Sequence, residues 1–362
     1  MKDFEIRYRR LSELGVDGDE VRPQVLNVLS ENPFRNGKDV LARKVAIVDG
    51  RVGGYENEFP VNVSINGEIY EAGTGNCTII EPWARKSGIG IVISDFDEHG
   101  RDGSHHIAIG GALSQIAIRV HKFIGYVVHE FPRFVFLLRS RVLLETRIKG
   151  LSLRISTLIL DACIGLYIFA VRSVSVFKLF SCTTEQVLPD KLEDVLSMAK
   201  IVRADGKSYC EVHDEKWLRW VLSSTFSEQK PCKAFLVKRG SNLLGFFLVK
   251  RRFHEHASSR GFKNVWLTSV VEWGAYRGFE NKVYWAIVRY LFDRRRGDDA
   301  VEFATNEKPL ISLLRHLLWK QVGNANFCFK IRGGSALEQY AEEMSSIDNW
   351  RVRPAYGDYA LS

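Results

Sequence analysis

The chain has 362 residues, 46% of them hydrophobic and 26% charged, with a formal net charge of +8. That composition excludes a disordered chain and leaves room for two domains of ordinary size. The positive balance favours anionic partners: a phosphate-bearing small molecule, an anionic membrane surface or nucleic acid.

Six cysteines are scattered, without a C-x-x-C pair or a zinc-spaced Cys/His cluster. No metal is expected, and reduced thiols in a cytoplasmic setting are. Met1-Lys2-Asp3-Phe4-Glu5 opens without an apolar core, so no secretory signal is expected.

The first elements are a short strand, Phe4 to Arg9, and a helix capped by Asp17 or Asp19 with Val21, Val25, Leu26 and Leu29 on one face. Three strands follow: Lys44 to Val48, Val52 to Ile65 and Glu68 to Glu81. Asp49-Gly50 and Asn66-Gly67 join them, and both are strong hairpin turns. Gly73 and Gly75 inside the third strand mark a bulge or a close backbone approach. Beyond Pro82 come a glycine turn, an apolar run to Phe96, a polar turn over 97–104 and a short strand, His105 to Gly111. Leu113 to Phe123 is helical in period, and Tyr126 to Leu138 is again a strand.

Residues 155–171 (ISTLILDACIGLYIFAV) are almost wholly apolar, interrupted by Asp161 and flanked by Arg147, Lys149, Arg154, Arg172 and Lys178. The run is short for a membrane span, and a central charge penalises one. Three readings stand: a helix buried between domains, a peripheral anchor on anionic lipid at the inner membrane surface, or, least favoured, a span.

The order of elements then repeats. Lys233 to Lys238, Asn242 to Phe253 and Lys263 to Trp273 read as strands. Asn281 to Phe292 reads as a helix, Ala300 to Ala304 as a strand, Pro309 to Lys320 as a helix and Asn324 to Ile331 as a strand. Such an order is that of an α/β fold with a mixed sheet, built twice. The units are expected at 1–138 and 191–362, joined by a helical linker over 139–190.

The chemistry is expected at Arg85-Lys86-Ser87-Gly88-Ile89-Gly90, which fits R-x-x-G-x-G between a strand and a helix. Small residues let main-chain amides approach a pyrophosphate, a helix N-terminus adds positive potential, and Arg85 and Lys86 add charged hydrogen bonds. Residues 79–90 resemble the acceptor-strand and pyrophosphate-loop motif of the GNAT (GCN5-related N-acetyltransferase) superfamily. Ala117 to Tyr126 resembles that family's A-x-x-x-Y-x-x-x-G-F helix. The resemblance covers about residues 4–138 and extends loosely to 331 through the repeat.

That resemblance implies tandem GNAT-like domains and an acyltransferase that uses acetyl-CoA or another acyl-CoA, without a covalent enzyme intermediate. It implies backbone pairing of the pantetheine arm near Ile79 and Ile80. The pyrophosphate would be held at Arg85, Lys86, Ser87, Gly88, Ile89 and Gly90, with Ser114 at the next helix start. The family tyrosine that protonates the leaving thiolate aligns here with His121, whose near-neutral pKa suits an acid. Glu58 and Glu81 are the candidate bases; Glu56 shares a strand face with Glu58, and Glu71 lies in the next strand. His105 or His106 is a candidate acceptor ligand, and Tyr126 reads as packing.

The equivalent stretch of the second unit, Glu272 to Glu280, lacks the glycine spacing and the paired cations, so no CoA is expected there. Trp266, Trp273, Tyr276, Tyr284 and Trp285 read as core or as one wall of an acceptor cleft. Asp293-Arg294-Arg295-Arg296 reads as a solvated helix end. The acceptor is expected to be an amine-bearing small molecule, such as an amino sugar or a cell-envelope precursor, rather than nucleic acid. Two alternatives stand beside this. One is a Fem-type transferase using aminoacyl-tRNA; the other is a non-catalytic acyl-CoA sensor.

Overall fold

β1 (Phe4–Arg10) and β2 (Leu41–Val48) open an antiparallel meander whose later turns are written in the sequence. Asp49-Gly50 leads into β3 (Arg51–Ile65), and Asn66-Gly67 into β4 (Glu68–Ile80). The four turn residues have φ between 50° and 88°, the geometry that matches strand twist in two-residue hairpins. The structure is a computed structural model. It describes residues 4–14, 30–35, 37–95, 105–111, 113–145, 149–188, 190–203, 207–223, 232–257 and 262–355. The helix expected over 21–29 and the turn over 97–104 lie outside the described residues.

β4 runs parallel to β5 (Ile107–Gly111). β6 (Val127–Leu137) and β7 (Cys182–Gln186) follow, and β8 (Tyr209–Glu211) pairs with β3. The second unit repeats the pattern. β9 (Lys233–Arg239), β10 (Asn242–Ala257) and β11 (Phe262–Ala275) form a meander, and β12 (Ala300–Ala304) lies parallel to β11.

The two halves exchange strands. β6 does not lie beside β5; it pairs with β12. β13 (Lys320–Ile331) lies between β5 and β6 and pairs with both. One sheet results, in the order β1-β2-β3-β4-β5-β13-β6-β12-β11-β10-β9-β7. Neither half can satisfy its central ladder alone, because an unpaired buried backbone group costs about as much as a lost hydrogen bond.

The helices are α1 (Ile89–Ile93), α2 (Gln115–Phe123), α3 (Arg141–Leu144), α4 (Gly150–Lys178), α5 (Leu192–Arg203), α6 (Glu215–Ser223), α7 (Glu280–Leu291), α8 (Lys308–His316) and α9 (Ala341–Met344). The tail forms a 3-10 turn, Ala336–Tyr340, running into α9. α5, α6 and the segment through Ala355 cover one sheet face, in a core that joins Phe59, Ile107 and Phe327 to Trp217 and Trp350. α1, α4, α7 and α8 cover the other face.

Burial of the apolar 155–171 segment between domains does not hold. It lies in α4, where only Ile168, Val171 and Ser175 are buried. Leu151, Leu158, Leu166, Phe169, Phe177 and Phe180 are each more than 70% exposed. The basic run after α7 is also not simply solvated. Arg296 pairs with Asp298 at 3.1 Å and stacks on Tyr290, and Arg294 reaches the Asp161 carbonyl on α4 at 3.2 Å.

Candidate active site

The 85–90 loop is built by packing at its ends and freedom at its middle. Pro82–Ala84 forms a 3-10 turn directly after β4. Ile89 is fully buried against Ala46, Val48 and Ala84. A Cβ on Gly53 would meet Ile89 Cδ1 at 3.0 Å, so that glycine lets β3 pass close beneath the loop. Gly88 has φ +85° with open space around it; its backbone, not a steric contact, requires glycine. Arg85, Lys86 and Gly88 are exposed. The Ser87 hydroxyl donates to the Ala84 carbonyl at 2.7 Å. α1 has only five residues, so its dipole is small. What the loop presents to solvent is the two cations and an open turn, not a strong helix dipole.

β4 and β5 pair at Ala72↔Ile107, Gly73↔Ala108 and Thr74↔Ile109, and the pairing stops there. β4 continues to Ile80 on β3 alone, with Ile79 opposite Tyr55 and Ile80 opposite Gly54. The strands therefore splay beyond Thr74. Glycines line that fork because side chains from neighbouring strands lie across it. A Cβ on Gly73 would come within 2.6 Å of Glu58 Oε1, on Gly75 within 2.9 Å of Glu56 Oε1, and on Gly110 within 3.3 Å of Cys328 Sγ.

Glu56 and Glu58 do share a face, and both are buried. Glu56 forms an ion pair with buried Lys44 at 2.8 Å and accepts from the Thr78 hydroxyl at 2.7 Å. Glu58 Oε1 lies 3.7 Å from His105 Nε2. The fold thus brings Glu58 together with His105. It does not bring Glu81 to them: Glu81 is exposed beyond the strand end, its amide on the Gly53 carbonyl at 2.9 Å. Glu71 and His106 lie outside the fork, His106 against the Tyr70 ring.

Ser114 caps α2, its hydroxyl accepting from the Ala117 amide at 3.2 Å. His121 is 9% exposed at the far end of that helix. Burial lowers its pKa against a hydrogen bond to the Ala117 carbonyl. That carbonyl accepts from Nδ1 at 2.8 Å, so the neutral ring keeps Nε2 as an acceptor. Its neighbour Tyr126 meets it edge to face at 4.7 Å. Burial holds the Tyr126 phenol well above its ordinary pKa, with Cys328, Glu56, Glu58 and Asp95 adding to the effect. Tyr126, read in the sequence as packing, therefore stays protonated beside the fork's carboxylates.

No family model matches the chain, and no curated protein matches its sequence. Solved structures do match in fold. One is Saccharomyces cerevisiae N-myristoyltransferase with bound myristoyl-CoA and inhibitors, at TM-score 0.57 and 11% identity, covering 91% of this chain and 80% of that one. Another is a probable N-acyltransferase from Enterococcus faecalis, at 0.50 and 10%, covering 93% and 74%. A third is a GCN5-related N-acetyltransferase from Anabaena variabilis, at 0.50 and 11%, covering 82% of this chain. The chain has the GNAT fold. It spans 64% of the length of the Anabaena protein.

The second GNAT-like lobe carries the same fork and fills it. β11 and β12 pair over three positions, Leu267↔Ala300 to Ser269↔Glu302, and β11 then runs on to Ala275. Its carbonyls there are taken by the chain's own end. The Ala355 amide donates to Val271 at 2.9 Å, and Arg351 Nη2 donates to Trp273 at 2.9 Å. Glu272, fully buried, anchors this plug. Arg351 lies at 2.6 Å, Arg353 at 3.3 Å, and His213 contacts its other oxygen. Burial opposes the Glu272 charge, but Arg351, His213 and Arg353 outweigh it and hold the pKa at about 2.

The aromatic residues expected at a cleft are mostly core: Trp273 and Tyr284 are buried, while Trp266, Tyr276 and Trp285 are half-buried. A cavity of about 260 Å3 lies elsewhere, between the lobes. Gly111 and Leu113 line it from the first fork, and Ser269, Glu302, Asn326 and Arg353 from the middle of the sheet and the tail.

Proposed function

We propose that the chain is an acyl-CoA-dependent N-acyltransferase with a single donor site, in the first lobe. The observation that carries this reading is the contrast between the forks. The first ends in an exposed basic glycine loop, and the second is filled by Arg351, Arg353 and Ala355. In this reading the pyrophosphate lies on the amides and cations of Arg85 to Gly90. The pantetheine arm lies along β4 from Ile80 towards Gly75. The acceptor, an amine-bearing small molecule, enters through the cavity that reaches Gly111. The Ser269 hydroxyl and the Glu302 carboxylate it donates to line that cavity and suit a hydroxyl-bearing amine such as an amino sugar.

The amine nitrogen attacks the thioester carbonyl, a C–N bond forms and the C–S bond breaks. Glu58 receives the amine proton, directly or through a water, with His105 beside it. The Tyr126 phenol donates to the departing thiolate. A neutral His121 cannot donate from Nε2, so it serves as a wall for Tyr126 and not as the acid. The bound acyl-CoA supplies the activated carbonyl, and no resident cofactor is invoked.

The test is a thermal-shift panel from acetyl-CoA to myristoyl-CoA, since a ligand that binds only the native state raises its stability. At least one acyl-CoA should raise Tm. In amine-transfer assays with that donor, Glu58→Gln should lower kcat by about 10²–10⁴ and leave the thermal shift intact. Absence of any shift across the panel overturns the donor site; an unchanged kcat overturns the role of Glu58.

A further inference from the structure

We propose that the face bearing α4 docks on an anionic lipid bilayer, with α4 lying in the interface and not crossing it. This stands on the surface alone and does not depend on the donor-site reading.

α4 has 29 residues and a mean hydropathy of 1.7 in its most apolar window, of which only 11% is buried. Its length is about 43 Å at 1.5 Å per residue. A helix this apolar normally hides in a core or crosses a membrane. α4 does neither.

It cannot cross, because it is fastened to the folded protein along its length. The Asp161 carboxylate accepts from the Ser140 amide at 2.7 Å. The Tyr167 hydroxyl donates to the Leu317 carbonyl at 2.6 Å, and Arg172 pairs with Asp293 at 3.3 Å. Lys282 donates to the Lys178 carbonyl at 2.5 Å. Ile168 and Val171 are packed into the second core. Spanning would strip all of these and place Asp161 in hydrocarbon.

The exposed side has the chemistry of an interfacial helix. Leu158, Leu166, Phe169 and Phe177 project from it at more than 70% exposure. Lys149 and Arg154 stand at its start and Lys178 at its end, all exposed. None of these three is in an ion pair among the described residues. Apolar side chains at the acyl boundary with cations at headgroup level are what an anionic surface selects. That charge pattern commits the occupant to anionic lipid over a second copy of the chain, whose own three cations would face these. Leu318 after α8 is also more than 70% exposed, next to the Leu317 carbonyl that Tyr167 of α4 reaches, which widens the contact beyond one helix.

The experiment is flotation of the full chain with vesicles of phosphatidylcholine alone and of phosphatidylcholine mixed with phosphatidylserine. The wild type should float with the mixed vesicles and release as salt rises. The triple variant Leu158→Glu/Phe169→Glu/Phe177→Glu should lose at least about a hundredfold in partitioning, from lost apolar burial. These positions are exposed, so its Tm should match the wild type. A second variant, Lys149→Ala/Arg154→Ala/Lys178→Ala, should lose on the order of a hundredfold through charge alone. Three results overturn the proposal. One is no flotation with either vesicle; another is equal flotation with both. The third is a lipid-free dimer that the first triple variant dissolves, which would make a second copy the occupant.

Discussion

The two forks of this molecule share a backbone and differ in what fills it. Gly88 and Gly278, each just after a fork strand, have φ of +85° and +87°. Just before Gly88 the chain offers Arg85 and Lys86, both exposed, and an open turn. Beyond Gly278 it offers Glu280, whose carboxylate already accepts from the Gly278 amide at 3.1 Å. The first fork's buried carboxylates face Lys44 and the Thr78 hydroxyl at Glu56 and His105 at Glu58. The second fork's Glu272 is locked between two arginines from the C-terminal segment. The same geometry stays open where the chain withholds its own partners and becomes a structural joint where it supplies them.

The largest effect that separates the forks should come from paired valines. Gly88→Val forces a β-branched residue into left-handed backbone and turns the loop amides away. Two charge-assisted bonds at about 1.5–3 kcal/mol each amount to more than a hundredfold in donor affinity. Acyl-CoA titration by calorimetry should show that loss for Gly88→Val and none for Gly278→Val. Equal losses would mean that the second fork also holds donor.

Next in size is the plug. Glu272→Gln removes one partner of a buried ionic network, which costs about 3–5 kcal/mol. Chemical denaturation should show that drop with donor affinity unchanged. A stable Glu272→Gln protein would mean that the tail does not close the fork in solution.

Acid should dissect the same plug more gently. Glu272 has its pKa depressed from 4.5 to about 2. Its stabilisation is therefore complete above about pH 4.5 and is lost as pH falls towards 2. His213 works in the opposite sense. Burial disfavours its charge, but Glu272 and Glu211 outweigh that and raise its pKa above 6.5. Its contribution is complete below pH 6.5 and fades as pH rises through the raised value. Wild-type stability should fall at both ends, and His213→Gln should remove the alkaline slope. An alkaline slope that persists in His213→Gln would assign it to another group.

How much of this was legible in the sequence depends on the range of the interaction. The Asp49-Gly50 and Asn66-Gly67 turns fixed three strands to within a few residues, because left-handed turn residues act locally. The R-x-x-G-x-G loop was legible for the same reason. The exchange of β6 and β13 was not, since either strand's pattern fits any central position and only tertiary pairing decides. Glu272 passed as part of a degenerate loop because its partners Arg351 and Arg353 lie about eighty residues on. The exposure of α4 was illegible because apolarity alone reads equally as core or as membrane surface. The charged surroundings of Tyr126 were illegible because Glu56 and Glu58 lie strands away in the sequence.

The smallest effect asks which obstruction silences the second fork. Glu280→Ala frees the Gly278 amide and removes an acid from the first turn of α7. Loss of that helix-end charge should cost only about 0.3–1 kcal/mol. If the carboxylate were the sole barrier, the freed turn would accept a pyrophosphate, and titration would find two donor equivalents per chain. Ala355 and Arg351, however, still occupy the β11 carbonyls that a pantetheine arm would need. The turn has only Arg277 where the first has two adjacent cations. Stoichiometry should therefore stay at one, because filling the strand edge, and not the mask on the turn, is what converts the second fork from a site into a joint.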